Sequence, residues 1–143
     1  MSFCKKMIAT TGEDSKAGQF GVLILRVFAG LTMALAHGMG KFPMSDMMVD
    51  GVRALGFPMP EVFAYAAALA ELVGGLLIAV GLLTRPAAIG LAFTMAVAAF
   101  GAHAADPFQV KEMAFLYLFV SLFFAFYGPG RLSVDFFLNK KCK

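Results

Sequence analysis

Four apolar runs, at about 19–37, 62–83, 87–105 and 112–127, constrain this chain more than any other feature. Each is close to the ~20 residues needed to cross the hydrocarbon core of a bilayer. Inside hydrocarbon every backbone N–H and C=O must find a partner within the segment, so each run reads as a helix. Helix breakers separate them: Gly38, Gly40 and Pro43, then Pro58 and Pro60, then Thr84-Arg85-Pro86, then Asp106-Pro107, and finally GPGR at 128–131. Composition agrees. The chain is 60% hydrophobic and only 15% charged, where a soluble domain carries about a quarter charged residues. The expected fold class is all-α, an integral membrane four-helix bundle in a lipid bilayer.

A length of 143 residues makes one domain. Residues 1–18 are polar and of mixed charge, and they read as a cytosolic tail rather than a removable signal peptide. Residues 19–135 form the membrane domain, and 136–143 a basic C-terminal tail. Within the 41–61 connection, Met47, Met48, Val52 and Leu55 have the spacing of a short amphipathic helix lying at the interface. An even number of spans puts both termini on one side. That side holds Lys5, Lys6, Lys16, Arg85, Arg131, Lys140, Lys141 and Lys143, against Lys41, Arg53 and Lys111 on the other. The basic bias therefore predicts cytoplasmic termini. The net charge of +3 comes from lysines clustered at the ends, with no basic run interleaved with aromatics, which argues against a nucleic-acid partner. Cys4 and Cys142 stand at opposite termini and no CxxC occurs, which argues against a dithiol mechanism within the chain.

The polar residues inside the apolar runs are few and patterned. Arg26 and His37 are eleven residues apart, so on an ideal helix they fall within about 20° of each other and ~16 Å apart along the axis. Gly30 and Met33 share that stripe. Glu71 lies ~13 Å into the second span from its outer end, among the small residues Ala64, Ala67, Ala68, Gly74 and Gly75 that allow close helix approach. The two depths match, which predicts a buried Arg26–Glu71 pair. A second small stripe, Ala92, Ala96 and Ala99, leads to His103.

At the outer end the topology gathers His37, Lys41, His103, Asp106 and Glu112 as a candidate polar site. No HxxE or HxxxH spacing supports a metal there, and Lys41 would repel a cation. The set could relay protons, hydrogen-bond a quinone oxygen or an anion, or simply solvate helix ends. Nothing resembles a Ser–His–Asp or Cys–His arrangement, so no catalytic residue is assigned.

Four motifs, in order, carry a resemblance. They are HGMGK (His37, Gly38, Lys41), AELVGG (Glu71, Gly74, Gly75), GLLTR (Gly81, Thr84, Arg85) and GPGRLSVD (Gly128, Gly130, Ser133, Asp135). Together they resemble the DoxX family of small bacterial membrane proteins, over about residues 20–135. The resemblance implies a four-helix membrane bundle in the bacterial inner membrane. Because the family includes the membrane part of thiosulfate:quinone oxidoreductase, it also implies quinone as ligand and a quinone-linked oxidoreductase component with redox partner proteins. The competing reading is a non-catalytic subunit that anchors or organises soluble redox partners. A small-solute carrier would need a homo-oligomer, since four short spans leave little room for alternating access.

Overall fold

The computed structural model describes residues 15–141. Six α-helices and no strand occur among them: α1 (Lys16–Thr32), α2 (Asp46–Ala54), α3 (Pro60–Val80), α4 (Thr84–Val97), α5 (Phe108–Tyr127) and α6 (Val134–Lys141). Two of them do not stop at those bounds. Helix α1 runs on through a π-helical turn, Met33–Gly38, and a 3-10 turn, Met39–Lys41. Helix α4 runs on through a π-helical turn, Ala98–Ala102. So extended, the four long helices span Lys16–Lys41, Pro60–Val80, Thr84–Ala102 and Phe108–Tyr127, each long and apolar enough to cross a membrane. The glycines expected to break the first helix at 38–40 instead widen and then tighten its last turns, so Lys41 ends on the helix rather than in a loop.

The four long helices alternate in direction. Helix α1 packs on α3, α3 on α4 and α4 on α5. Helices α1 and α5 meet through side chains: the rings of His37 and Tyr117, and Gln19 Nε2 donating to the Tyr127 hydroxyl. Both described ends lie at one end of the bundle, called proximal here, with the α3–α4 turn. The 42–59 connection and the α4–α5 turn form the distal end.

Side chains sort by face. Met33, Ala34, Ala64, Ala68, Ile78, Ala88, Leu91 and Phe124 are buried, while Phe20, Phe28, Leu35, Phe93, Phe119 and Phe126 stand exposed around the outside. Such an apolar exterior suits lipid, not water. With lipid outside, helix association rests on close van der Waals packing rather than on apolar burial. The α1–α3 seam shows this. A Cβ on Gly30 would lie 2.5 Å from the Gly75 carbonyl oxygen, and one on Gly38 would lie 2.5 Å from the Leu72 nitrogen. The small residues of α1 and α3 thus bring the two backbones into direct contact and fix their register.

The amphipathic helix expected at 47–55 is α2, opened by Ser45, whose hydroxyl accepts from the Met48 amide. It lies across the distal end against α3, with Met48, Val52 and Leu55 turned inward over a cavity. The basic tail expected at 136–143 falls largely in α6, a short helix rather than an irregular segment. Cys4 and Cys142, and most of the N-terminal tail, lie outside the described residues.

Candidate functional site

The register of the seam decides which polar groups meet. Gly30 faces Gly75 and Ala79, while Gly38 faces Glu71 and Leu72. Eight residues, or ~12 Å of helix, separate those two levels. Arg26 therefore lies near the proximal end and Glu71 near the distal end, and the expected Arg26–Glu71 pair does not form. Depths counted from His37 mislead because α1 runs on to Lys41. The helix is longer at both ends, and α3 is offset toward its far end.

Arg26 is 2% exposed, yet each of its three guanidinium nitrogens is engaged. Its guanidinium donates to three carbonyls: Pro129 at 2.5 Å, Leu132 at 2.7 Å and Ala79 at 3.3 Å. A planar fork suits this task, since it reaches oxygens on two separate segments at once. Gly81, at φ +74°, leaves the space it needs: a Cβ there would meet Arg26 Nη1 at 2.7 Å and Ser133 Cβ at 2.6 Å. Asp135 completes the proximal cluster. Its carboxylate accepts from the Leu83 and Thr84 amides at 2.8 and 3.0 Å and from the Thr84 hydroxyl at 3.0 Å, capping α4 across 51 residues of chain. Ser133 donates to the Gly130 carbonyl, and the Arg131 amide donates to Gln19 Oε1. Arg85 reaches the Phe126 carbonyl at 3.4 Å and lies alongside Gly128. Gly74 faces the Ala87 carbonyl across the α3–α4 contact. This cluster ties four segments together. It is a clasp.

The distal end differs. A cavity of about 860 Å³ lies between α3 and α4 beneath α2. Phe57, Phe63, Phe93 and Val97 give it apolar walls, and Lys41, Glu71 and His103 are its ionisable lining. Lys41 Nζ binds Glu71 Oε1 at 2.5 Å, with side chains 28% and 3% exposed respectively. The other carboxylate oxygen, Glu71 Oε2, is buried and has no hydrogen-bond partner. His103 Nδ1 lies 2.7 Å from Asp106 Oδ2 at the rim.

The five residues expected at the outer end are thus divided. Lys41 and His103 line the cavity, and Asp106 holds His103. His37 turns to α5, where its ring meets Tyr117 edge-on at 5.5 Å. Glu112 is exposed at the start of α5, outside the cavity wall. The two imidazoles part because a π-helical turn precedes or contains each one. An extra residue per turn rotates His103 off the Ala92–Ala96–Ala99 stripe, and such turns recur at functional sites. Glu71 as the partner of Lys41 was missed, although the small residues Gly30, Ala34 and Gly38 carried the register. Matched against Ala68 and Gly75 of α3, they place Glu71 beside the end of α1. Among the described residues, no three His, Cys, Asp or Glu side chains gather as a metal site.

Comparison with known proteins gives a consistent picture. The DoxX family model matches residues 21–104. A Bacillus subtilis protein named "Putative oxidoreductase CatD" is 32% identical over 88% of this chain and 92% of its own length. Two Escherichia coli relatives are named inner membrane proteins. YqjF is 32% identical over 88% of this chain and 98% of its own, and YphA is 30% identical over 85% and 94%. No solved structure matches the chain significantly.

Proposed function

The chain belongs to the DoxX family, as a multi-pass protein of the bacterial inner membrane, and we propose that it is the membrane component of a quinone-linked oxidoreductase, taking a quinone head group into the distal cavity. One observation carries the reading: a Lys41–Glu71 ion pair, its carboxylate buried and its ammonium partly exposed, opens onto a mainly apolar cavity. The volume of about 860 Å³ falls in the range of small-molecule sites, which combine apolar walls with a few placed polar groups. An ammonium has three protons, and Glu71 uses one, so Lys41 retains donors for a ring carbonyl. The phenylalanines would cover the ring and an isoprenoid tail. His103, paired with Asp106 at the rim, offers a proton path between the cavity and the aqueous face. The name of the Bacillus relative points the same way.

A photoreactive azidoquinone tests this on the purified full chain. Label is expected on cavity residues of α2, α3 and α4. Ala67→Phe, which fills the cavity without changing charge, should abolish it. Label that survives that substitution, or maps to the lipid-facing side of α1, overturns the reading. The orientation is part of the proposal: the eight-to-three basic bias favours termini in the cytoplasm and the cavity at the outer face. Reaction of Cys4 or Cys142 with an impermeant maleimide in intact cells would reverse it.

A further inference from the structure

Of the polar side-chain groups that border the distal cavity, all but one make a hydrogen bond. Ser45 accepts from the Met48 amide, and Thr94 donates to the Gly90 carbonyl at 3.1 Å. His103 is bonded to Asp106, and Lys41 to Glu71 Oε1. The exception is Glu71 Oε2, buried and unpartnered on a residue that is 2% exposed. A carboxylate can only accept, and leaving a buried acceptor unmet is costly. What fits this atom is a donor.

We propose that the cavity selects ring ligands bearing a hydroxyl, a phenol or hydroquinone, over the same ring bearing only carbonyl or ether oxygens. This rests on the reading of the cavity as a quinone-type site and deepens it by naming the reduced form as the one held better. The chemistry is asymmetric. A ligand hydroxyl donates to Glu71 Oε2 while its oxygen accepts from Lys41 Nζ, so one group completes both members of the ion pair. A carbonyl or ether oxygen accepts from Lys41 but leaves Oε2 as it was. Oε2 is buried, so reaching it takes a turn about the last side-chain torsion of glutamate, which is broad and two-fold rather than held in a narrow well. The apolar walls sharpen the discrimination, because a hydrogen bond to an ionised group is stronger where water is excluded.

The test uses the full chain in lipid nanodiscs and a matched pair of probes, 4-nonylphenol and its methyl ether, which differ only in the donor. Saturable binding of radiolabelled nonylphenol is competed with each unlabelled compound. The phenol is expected to compete at about tenfold lower concentration than the ether, the size expected for one charge-assisted hydrogen bond. Glu71→Gln, which exchanges one acceptor for an amide donor, should narrow that ratio. Lys41→Met with Glu71→Met should bring it to about one. Under anaerobic conditions durohydroquinone should likewise outcompete duroquinone. Equal competition by phenol and ether in the unsubstituted chain overturns the donor preference. If both are also lost in Ala67→Phe, the cavity reading survives that failure. No saturable phenol binding overturns the donor preference as well, and it extends to the quinone reading only if azidoquinone labelling is also absent.

Discussion

Replacing Gly30 with alanine adds one methyl group at one of the two tightest points of the α1–α3 seam. The new Cβ would lie 2.5 Å from the Gly75 carbonyl oxygen, 2.6 Å from the Ala79 nitrogen and 2.9 Å from the Ala79 Cα. All three atoms belong to the backbone of the opposing helix, so no side-chain rotation relieves them. Ordinary contact needs about 3.5 Å, and the helices must separate by ~1 Å. Two effects then compete. Alanine favours a helix interior by roughly 0.5–1 kcal/mol over glycine. Against it, forcing atoms into a packed contact costs about 1–3 kcal/mol, and a gap of ~1 Å forfeits up to half of the dispersion along the seam. In lipid that dispersion is the main attraction between helices. The second effect wins, and Gly30→Ala should destabilise the bundle by about 1–2 kcal/mol. Gly21→Ala is the control, because it lies on the same helix with nothing within 4 Å of its Cβ. It should be neutral or slightly stabilising. Unfolding by SDS in mixed micelles, followed by circular dichroism, measures both. Gly75→Ala, whose Cβ would meet the Gly30 carbonyl oxygen at 2.8 Å, should behave like Gly30→Ala. The double variant should cost less than the sum, since one separation relieves both clashes. Equal stability of the Gly30 and Gly21 variants would refute the close-contact account.

Three further outcomes follow from the polar groups. Arg26→Lys should lower stability by about 2 kcal/mol or more, because a single ammonium cannot span the Pro129, Leu132 and Ala79 carbonyls; faster tryptic cleavage after Arg131 would report the freed loop. Asp135→Ala should cost about 1–2 kcal/mol by uncapping α4, and hydrogen exchange should rise at the Leu83 and Thr84 amides; unchanged exchange there would count against the cap. Lys41→Met alone should cost about 3 kcal/mol by stranding the Glu71 charge, while adding Glu71→Met should recover most of that loss; a double variant no more stable than the single would show that the pair is not coupled.

The bundle itself was legible because lipid imposes a simple rule on sequence. A run of ~20 apolar residues must be helical, and short breaker-rich connections make neighbours antiparallel. The amphipathic α2 was legible too, from the spacing of Met47, Met48, Val52 and Leu55. What failed was depth. The first apolar run ends at His37, yet α1 continues through Gly38 and Gly40 to Lys41, because π and 3-10 turns absorb glycines without ending the helix. Depths counted from His37 put Arg26 level with Glu71, where the seam instead brings Lys41. The π-helical turns have no simple sequence mark, so the divergence of His37 and His103 was not readable from periodicity at 100° per residue. Gly30, Ala34 and Gly38, a small-residue row on α1, would have set the register had they been matched to α3.

The charged groups buried at the two ends of the bundle are met differently, and this is the physical basis for proposing a ligand at the distal one. At the proximal end Arg26, Thr84, Ser133 and Asp135 all have named partners, most of them backbone atoms of a different segment. Such groups hold the turns at this end together, and most of the motif residues of GLLTR and GPGRLSVD belong to them. Buried polar groups in folded proteins are normally satisfied this way, so satisfaction by itself points to structure. At the distal end a carboxylate is carried into an apolar cavity and left with one oxygen unmet. Replacing the Lys41–Glu71 pair with apolar side chains would be expected to cost the bundle little. A stability role therefore does not explain why the charges are there, and the proposed ligand would complete them.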